Sequence, residues 1–196
     1  MAIEVYTSDF LVIGSGIAGL SFAMKASQLG TVHIVTKKKD FDSNTNYAQG
    51  GIASVFDPHD SIESHIQDTL ISGAGLCNEQ AVRILAESGP KRVQELMDWG
   101  AHFSTQTNQN GSVTLDLGRE GGHSHNRIVH AKDLTGQEVE RALLDAIAKI
   151  KNITVFENHT AVDLLTQHQL KLAGRHTNNS VSDITCYGAY ILDNTS

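Results

Sequence analysis

DFLVIGSGIAGLSFAMKASQLGTVHIVTK, Asp9 to Lys37, is the stretch that decides the fold. Phe10 to Ile13 is a short unbroken apolar run ending in glycine, the pattern of a strand buried on both faces. From Ile17 to Leu29 apolar residues recur at helical spacing, and Gly30 stands where it would end that helix. TVHIV, Thr31 to Val35, reads as a second strand, so the segment is a βαβ unit with parallel strands and short connections. Gly14, Gly16 and Gly19 fall between the first strand and the helix. In that setting Gly14 permits a tight turn, Gly16 lets bare backbone approach a pyrophosphate, and Gly19 lets the helix pack close to the strand. N–H groups at the helix start, around Ile17 and Ala18, would then face the phosphates. The plain alternative is a strand-turn-helix with incidental glycines. Strand, glycines, helix length and second strand together outweigh it.

The glycines do not choose between NAD and FAD. A carboxylate for the ribose hydroxyls would stand at the end of the second strand, and this chain has Thr36 and Lys37 there. Thr36 can still bond a ribose hydroxyl, and Lys37 can pair with a phosphate. A cofactor released at every turnover leans on the ribose contact more than one held by many other groups. The departure therefore favours a permanently held FAD, with an NAD-dependent dehydrogenase as a rival.

Outward from this unit, 41–58 is loop-like and rich in glycine. Asp60 and Glu63 form a capping box for a helix reaching about Ile71. Asn78 caps a second helix, EQAVRILAE, and Ser88 with Pro90 in its first turn opens a third that stops at Gly100. AHFSTQ and SVTLDL flank Asn110-Gly111, a hairpin turn. Thr135 and Glu138 make another capping box before VERALLDAIAKI. The strands ITVFE, AVDLLTQ and, after a polar turn, YGAYILD complete the chain. The class is α/β: a Rossmann-like domain with a parallel sheet, a helical insertion and antiparallel hairpins.

Composition narrows the function. The 196 residues carry a formal charge of −7 and are 40% apolar, with two prolines, which describes an ordered globular segment. The only basic run is Lys37 to Lys39, so no face suits a nucleic-acid backbone. Cys77 and Cys186 form no C-x-x-C pair, as in a reduced cytoplasmic protein. No segment has the pattern of a signal peptide or a membrane span.

Two further segments carry chemistry. SNTNYAQGGIASVF, Ser43 to Phe56, places adjacent glycines where backbone can approach something flat or charged; a surface loop is the alternative. GREGGHSHNRIVH carries Arg119, Glu120, His123, His125, Arg127 and His130. Its histidine spacing lacks the tight pairing of a zinc site and brings no cysteine, so no metal is expected; a polar surface loop is the other plain reading.

GSGIAGL, NYAQGGIA and REGGHSHNRIVHAKDLTG, in that order, resemble the flavoprotein family of succinate dehydrogenase, fumarate reductase and L-aspartate oxidase, and the last stretch resembles the L-aspartate oxidase branch. The resemblance runs through the whole chain. It implies that residues 1–196 are the first part of a FAD-binding domain, with the capping domain, the rest of the FAD domain and a C-terminal helical domain absent. It also implies the cofactor contacts. Ser15, Gly16, Ile17 and Ala18 would hold the pyrophosphate, and Lys37 would lie near the adenosine. Asn44, Thr45, Asn46, Tyr47, Ala48, Gln49, Gly50 and Gly51 would line the flavin. Val162 would meet adenine through its backbone, unless it is a core strand valine. Succinate dehydrogenases and fumarate reductases of this family link flavin to a histidine where this chain has Asn44. An amide has no nucleophilic nitrogen at neutral pH, so FAD is expected to be non-covalent.

The resemblance points to Glu120 as the group that selects substrate, with His123 and Ser124 near the flavin or a substrate carboxylate. Succinate and aspartate differ by one ammonium group, which a carboxylate attracts while repelling a third negative charge. The implied reaction is oxidation of L-aspartate to iminosuccinate, with oxygen or fumarate as acceptor, at the start of NAD biosynthesis and with quinolinate synthase as a partner. In the family, the arginine and histidines that grip the substrate lie further along than Ser196. A succinate or fumarate oxidoreductase subunit and a nucleotide-binding fragment without turnover remain as rivals.

Overall fold

In chain order the elements are β1 (Phe10–Ile13), α1 (Ile17–Ala26), β2 (Val32–Val35), β3 (Ile52–Ala53), α2 (Ile62–Ser72), α3 (Glu79–Asp98) and β4 (Thr105–Thr107). β5 (Val113–Leu115), β6 (Leu117–Gly118), β7 (Ile128–Val129), α4 (Thr135–Ile147), β8 (Ile153–Phe156), β9 (His159–Thr166) and β10 (Cys186–Asp193) follow. They come from a computed structural model that describes residues 4–39, 42–108, 110–132, 134–167 and 185–195. The polar turn expected before YGAYILD falls largely outside those residues. The chain forms two compact units, one of Met1–Ser43 with Ile147–Ser196, the other of Asn44–Ala146.

The first unit is built on the βαβ segment. β1, β2 and β8 form a parallel sheet in the order β1-β2-β8, with Phe10 opposite Val32 and Val32 opposite Ile153. Val12, Val32, Ile34 and Val35 are buried, and α1 buries Leu20, Ala23, Met24 and Ala26. The helix ends at Ala26, not at Leu29. Leu29 is 80% exposed and has no core face to join, so the chain leaves the helix in turns closed by Ser27 N–H on the Ala23 carbonyl and Gly30 N–H on the Ala26 carbonyl. A Cβ at Gly30 would stand 2.6 Å from Asp9 Oδ2, which accepts from Thr31 N–H at 2.7 Å. The Asn152 amide ties the entry of β8 to the same corner, donating to the carbonyls of Ser27 and Gly30 at 2.7 Å each. β9 and β10 pair as a separate antiparallel ribbon.

The second unit holds the helical insertion. β3, β7 and β6 form a small antiparallel sheet, β4 and β5 a hairpin, and Ile66, Val82 and Ala86 a core between α2 and α3. Three local expectations give way to longer-range forces. The helices expected over 79–87 and 88–100 are one helix, Glu79–Asp98, with Pro90 inside it. Its buried residues Val82, Ala86, Val93 and Leu96 follow one stripe past the proline, so packing outweighs the missing N–H, and Ser88 caps nothing. The cap of α2 is Ser61, whose hydroxyl accepts from Ser64 N–H, because the Asp60 carboxylate is engaged by Arg127. Thr135 lies within α4, its hydroxyl accepting from Ala131 N–H, while the Glu138 carboxylate accepts from His102 N–H and Arg141. No reciprocal box forms there. Among the described residues no helix is long and apolar enough to cross a membrane.

Candidate functional site

The predicted cofactor residues are divided between the units. In the first, β1 runs into a turn where Gly14 takes φ +105°, a conformation that side chains resist, and its N–H closes on the Val35 carbonyl at 2.8 Å. A Cβ at Gly19 would collide with the Gly14 carbonyl oxygen, so the helix reaches this close only because residue 19 has none. Gly16 is the N-cap of α1, with extended backbone and no capping side-chain hydrogen bond, and the first turn carries no acidic residue. Ala18 is exposed and Ile17 is 38% exposed. A helix start capped by a glycine, with no carboxylate in its first turn, suits a pyrophosphate on both steric and charge grounds. Thr36 is buried, and its Oγ1 lies 3.0 Å from the Ser15 hydroxyl, which turns that side chain into the turn itself. Lys37 is exposed. Val162 is 66% exposed on the β9–β10 ribbon.

In the second unit, 44–47 is a turn closed by Ala48 N–H on the Thr45 carbonyl. Asn44, Tyr47, Ala48, Gln49 and Gly50 are exposed, while Thr45, Asn46 and Gly51 are half-buried. The turn rests on the start of α4: Gly136 N–H donates to the Ala48 carbonyl at 3.0 Å, and a Cβ at Gly136 would overlap the Thr45 carbonyl oxygen. The paired glycines divide their roles. A Cβ at Gly51 would strike Ile128 and the Val129 carbonyl, so that glycine serves the packing of β7. Gly50 is open, and the nearest atom to a Cβ there would be Glu120 Oε1 at 3.7 Å. The fold thus brings Glu120 beside the 44–51 turn. Its carboxylate makes no hydrogen bond or ion pair with any described residue, and it is exposed.

His123 and Ser124 belong to a cluster that sequence reasoning missed. Arg127 is fully buried, with Nε and Nη2 each 2.8 Å from the two oxygens of Asp60 and Nη1 2.7 Å from Asp68 Oδ2. Asp68 Oδ2 also accepts from the N–H and hydroxyl of Ser124 at 2.7 and 2.8 Å. The Nδ1 atoms of His65 and His123 each stand 3.3 Å from Arg127 Nη1. Nη1 carries two hydrogens and one goes to Asp68, so the other faces the two imidazoles and only one of them can accept it at a time. A guanidinium fills the centre of these histidines, and no three His, Cys, Asp and Glu side chains among the described residues are grouped to hold a metal ion. No local pattern marks the partners, since 67 residues separate Arg127 from Asp60.

Burial, the Arg127 charge and the His123 ring lower the His65 pKa from its usual 6.5, and its Nε2 is buried without a hydrogen-bond partner. At Asp68 burial acts to raise the pKa, but the Ser124 N–H and hydroxyl and Arg127 outweigh it and bring it from 3.8 to about 2. Acid should therefore destabilise this unit in two windows. Below 6.5 the unfolded chain protonates its His65 before the folded chain does, so stability falls as pH drops through that value. The Asp68 contribution is complete above 3.8 and is lost as pH falls from there toward about 2. Urea midpoints across this range check both, and His65→Gln should flatten the upper window while leaving the lower one.

The family described as FAD binding domain matches residues 9–196. "L-aspartate oxidase 2-a, chloroplastic" of Nicotiana tabacum is 51% identical over 180 residues, covering 92% of this chain and 26% of that protein. L-aspartate oxidase of Vibrio cholerae is 50% identical over 163 residues, covering 83% of this chain and 30% of that protein. Among solved structures, E. coli quinol fumarate reductase superposes with a TM-score of 0.75 at 30% identity, over 83% of this chain and 28% of that one. The chain thus spans roughly a quarter to a third of the length of the relatives it matches. By that match over residues 9–196 the chain belongs to the FAD binding domain family, and FAD is its cofactor.

Proposed function

We propose that the protein oxidises L-aspartate to iminosuccinate, with oxygen or fumarate as electron acceptor, and that this chain carries the opening portion of its FAD-binding domain. Bound FAD supplies the hydride acceptor for the substrate α-carbon. The α1 start would hold the pyrophosphate through backbone N–H groups, and the exposed 44–51 turn would line the flavin. Asn44 cannot form a carbon–nitrogen link, so the cofactor would be dissociable. The observation that carries the substrate reading is Glu120, an exposed carboxylate beside Gly50 with no described partner of its own. It is placed to attract an ammonium and to disfavour succinate. The relatives named L-aspartate oxidase support the same substrate.

Iminosuccinate is an imine exposed to hydrolysis, so the next enzyme must take it promptly. Quinolinate synthase is the proposed consumer, on the route to NAD. Cys77 and Cys186 are both free thiols, in keeping with a cytoplasmic setting.

The full-length protein loaded with FAD should bleach its flavin absorbance faster with L-aspartate than with succinate. Glu120→Gln should lower kcat/KM for aspartate about 100-fold, the size of leaving an ammonium opposite a neutral amide at ~3 kcal/mol. Faster reduction by succinate would assign the protein to the succinate and fumarate branch instead. A second reading rests on the 26% coverage of the tobacco relative: this chain alone binds FAD without turnover. Anaerobic titration of the chain with FAD and aspartate tests it, because bleaching would contradict an inert fragment.

A further inference from the structure

Glu120 sits in a nine-residue loop, 119–127, between β6 and β7. The neck of that loop is closed by Arg127 N–H on the Gly118 carbonyl at 3.0 Å and by the pairing of Gly118 with Ile128. Within the loop, two described bonds fix the residues around Glu120. His123 N–H donates to the Glu120 carbonyl at 3.3 Å, and Arg119 Nη1 donates to the Ser124 carbonyl at 3.4 Å. Both run to residues 123 and 124. Those two are in turn held from below: Ser124 by Asp68, His123 by its Nδ1 contact of 3.3 Å with Arg127 Nη1, with Asp68 itself gripped by that Nη1. The Glu120 carboxylate contributes no anchor of its own.

Arg127 is not a group for a substrate carboxylate. It is fully buried, and its five donors are committed: Nε to Asp60, Nη2 to Asp60 and Ser64, Nη1 to Asp68 with its second hydrogen facing the His65 and His123 rings. Its fork binds one carboxylate with two parallel bonds while a third nitrogen reaches another, a geometry that lysine cannot copy. We propose that Arg127 is a positioning residue for substrate choice: with Asp68 as intermediary it fixes His123 and Ser124, and through them the place from which Glu120 meets the substrate ammonium. This rests on the L-aspartate reading above.

The test uses the full-length protein saturated with FAD, and compares kcat/KM for L-aspartate with the inhibition constant of succinate as competitor. Arg127→Lys keeps the charge but loses the fork. A displacement of about 1 Å at a reacting group costs up to about 100-fold, so the aspartate-over-succinate preference should fall by about tenfold or more, on enzyme that still holds its flavin. Asp68→Asn is the second variant, carrying the test if Arg127→Lys does not fold; it keeps an acceptor for Ser124 but weakens the grip of Arg127, and should shift the same ratio in the same direction. A role in stability alone would lower flavin content or the melting temperature and leave the ratio of the FAD-loaded enzyme unchanged, and that result overturns the inference. A wild-type enzyme with no preference for aspartate overturns the parent reading and this one with it. A wild type that has the preference beside variants that keep it overturns this one alone.

Discussion

Arg127→Met should cost the second unit ~3–5 kcal/mol, the range for removing one partner of a buried ion pair. The loss comes less from missing attraction than from what is left behind. Asp60 has a fully buried side chain, and without Arg127 its two oxygens keep only the Ser61 N–H and the distant His125 ring. Burial already works to raise the Asp60 pKa, and only the Arg127 hydrogen bonds, the Ser61 N–H and the nearby positive charges hold it below its usual value. In Arg127→Met the carboxyl should hold its proton to higher pH than in the parent chain, and the urea midpoint should fall accordingly. Arg127→Met with Asp60→Asn should be less unstable than the sum of the two single changes, because the second substitution removes the stranded charge. Urea titration of the four chains of this cycle measures it; strict additivity would show that the pair does not interact as the geometry requires.

Gly136→Ala should detach the 44–51 turn from α4. The added methyl would overlap the Thr45 carbonyl oxygen and stand 2.8 Å from the Ala48 carbonyl oxygen and 2.9 Å from its Cβ. Two of these are main-chain atoms, which cannot rotate aside as a side-chain tip would. Overpacking of this kind costs ~1–3 kcal/mol, and here it also breaks the bond from Gly136 N–H to the Ala48 carbonyl. FAD affinity, read by quenching of flavin fluorescence, should fall about tenfold or more, while α1 and its glycine turn, which are built from other residues, stay as they are. Unchanged FAD affinity with the expected loss of stability would remove the 44–51 turn from the cofactor site.

What the sequence disclosed and what it withheld follow from the range of the forces involved. The βαβ unit was legible because its signals are local: an apolar run, three glycines with mechanical roles, and helical spacing. β9 and β10 were legible for the same reason. The caps were less so. Asp60 and Glu138 both fit the capping spacing as it reads in the sequence, but α2 is capped by Ser61, Thr135 is already inside α4, and each carboxylate has a stronger donor elsewhere, Arg127 in one case and Arg141 with His102 N–H in the other. Pro90 reads as a helix start until the stripe of Val82, Ala86, Val93 and Leu96 is seen to continue past it. Glu120 and the 44–51 segment were legible as separate motifs, but their proximity was not, since it depends on how β3 and β6 both flank β7. The buried arginine beneath them left no local trace, because its meaning lies in two aspartates far back in the chain, Asp60 just before α2 and Asp68 within it.

β1 is the outer strand of the parallel sheet among the described residues, and it leaves Leu11 37% and Ile13 52% exposed. Its far side offers a row of main-chain donors and acceptors with apolar side chains around it, the arrangement that recruits a further strand. That border is where a further parallel or antiparallel strand would add to the sheet.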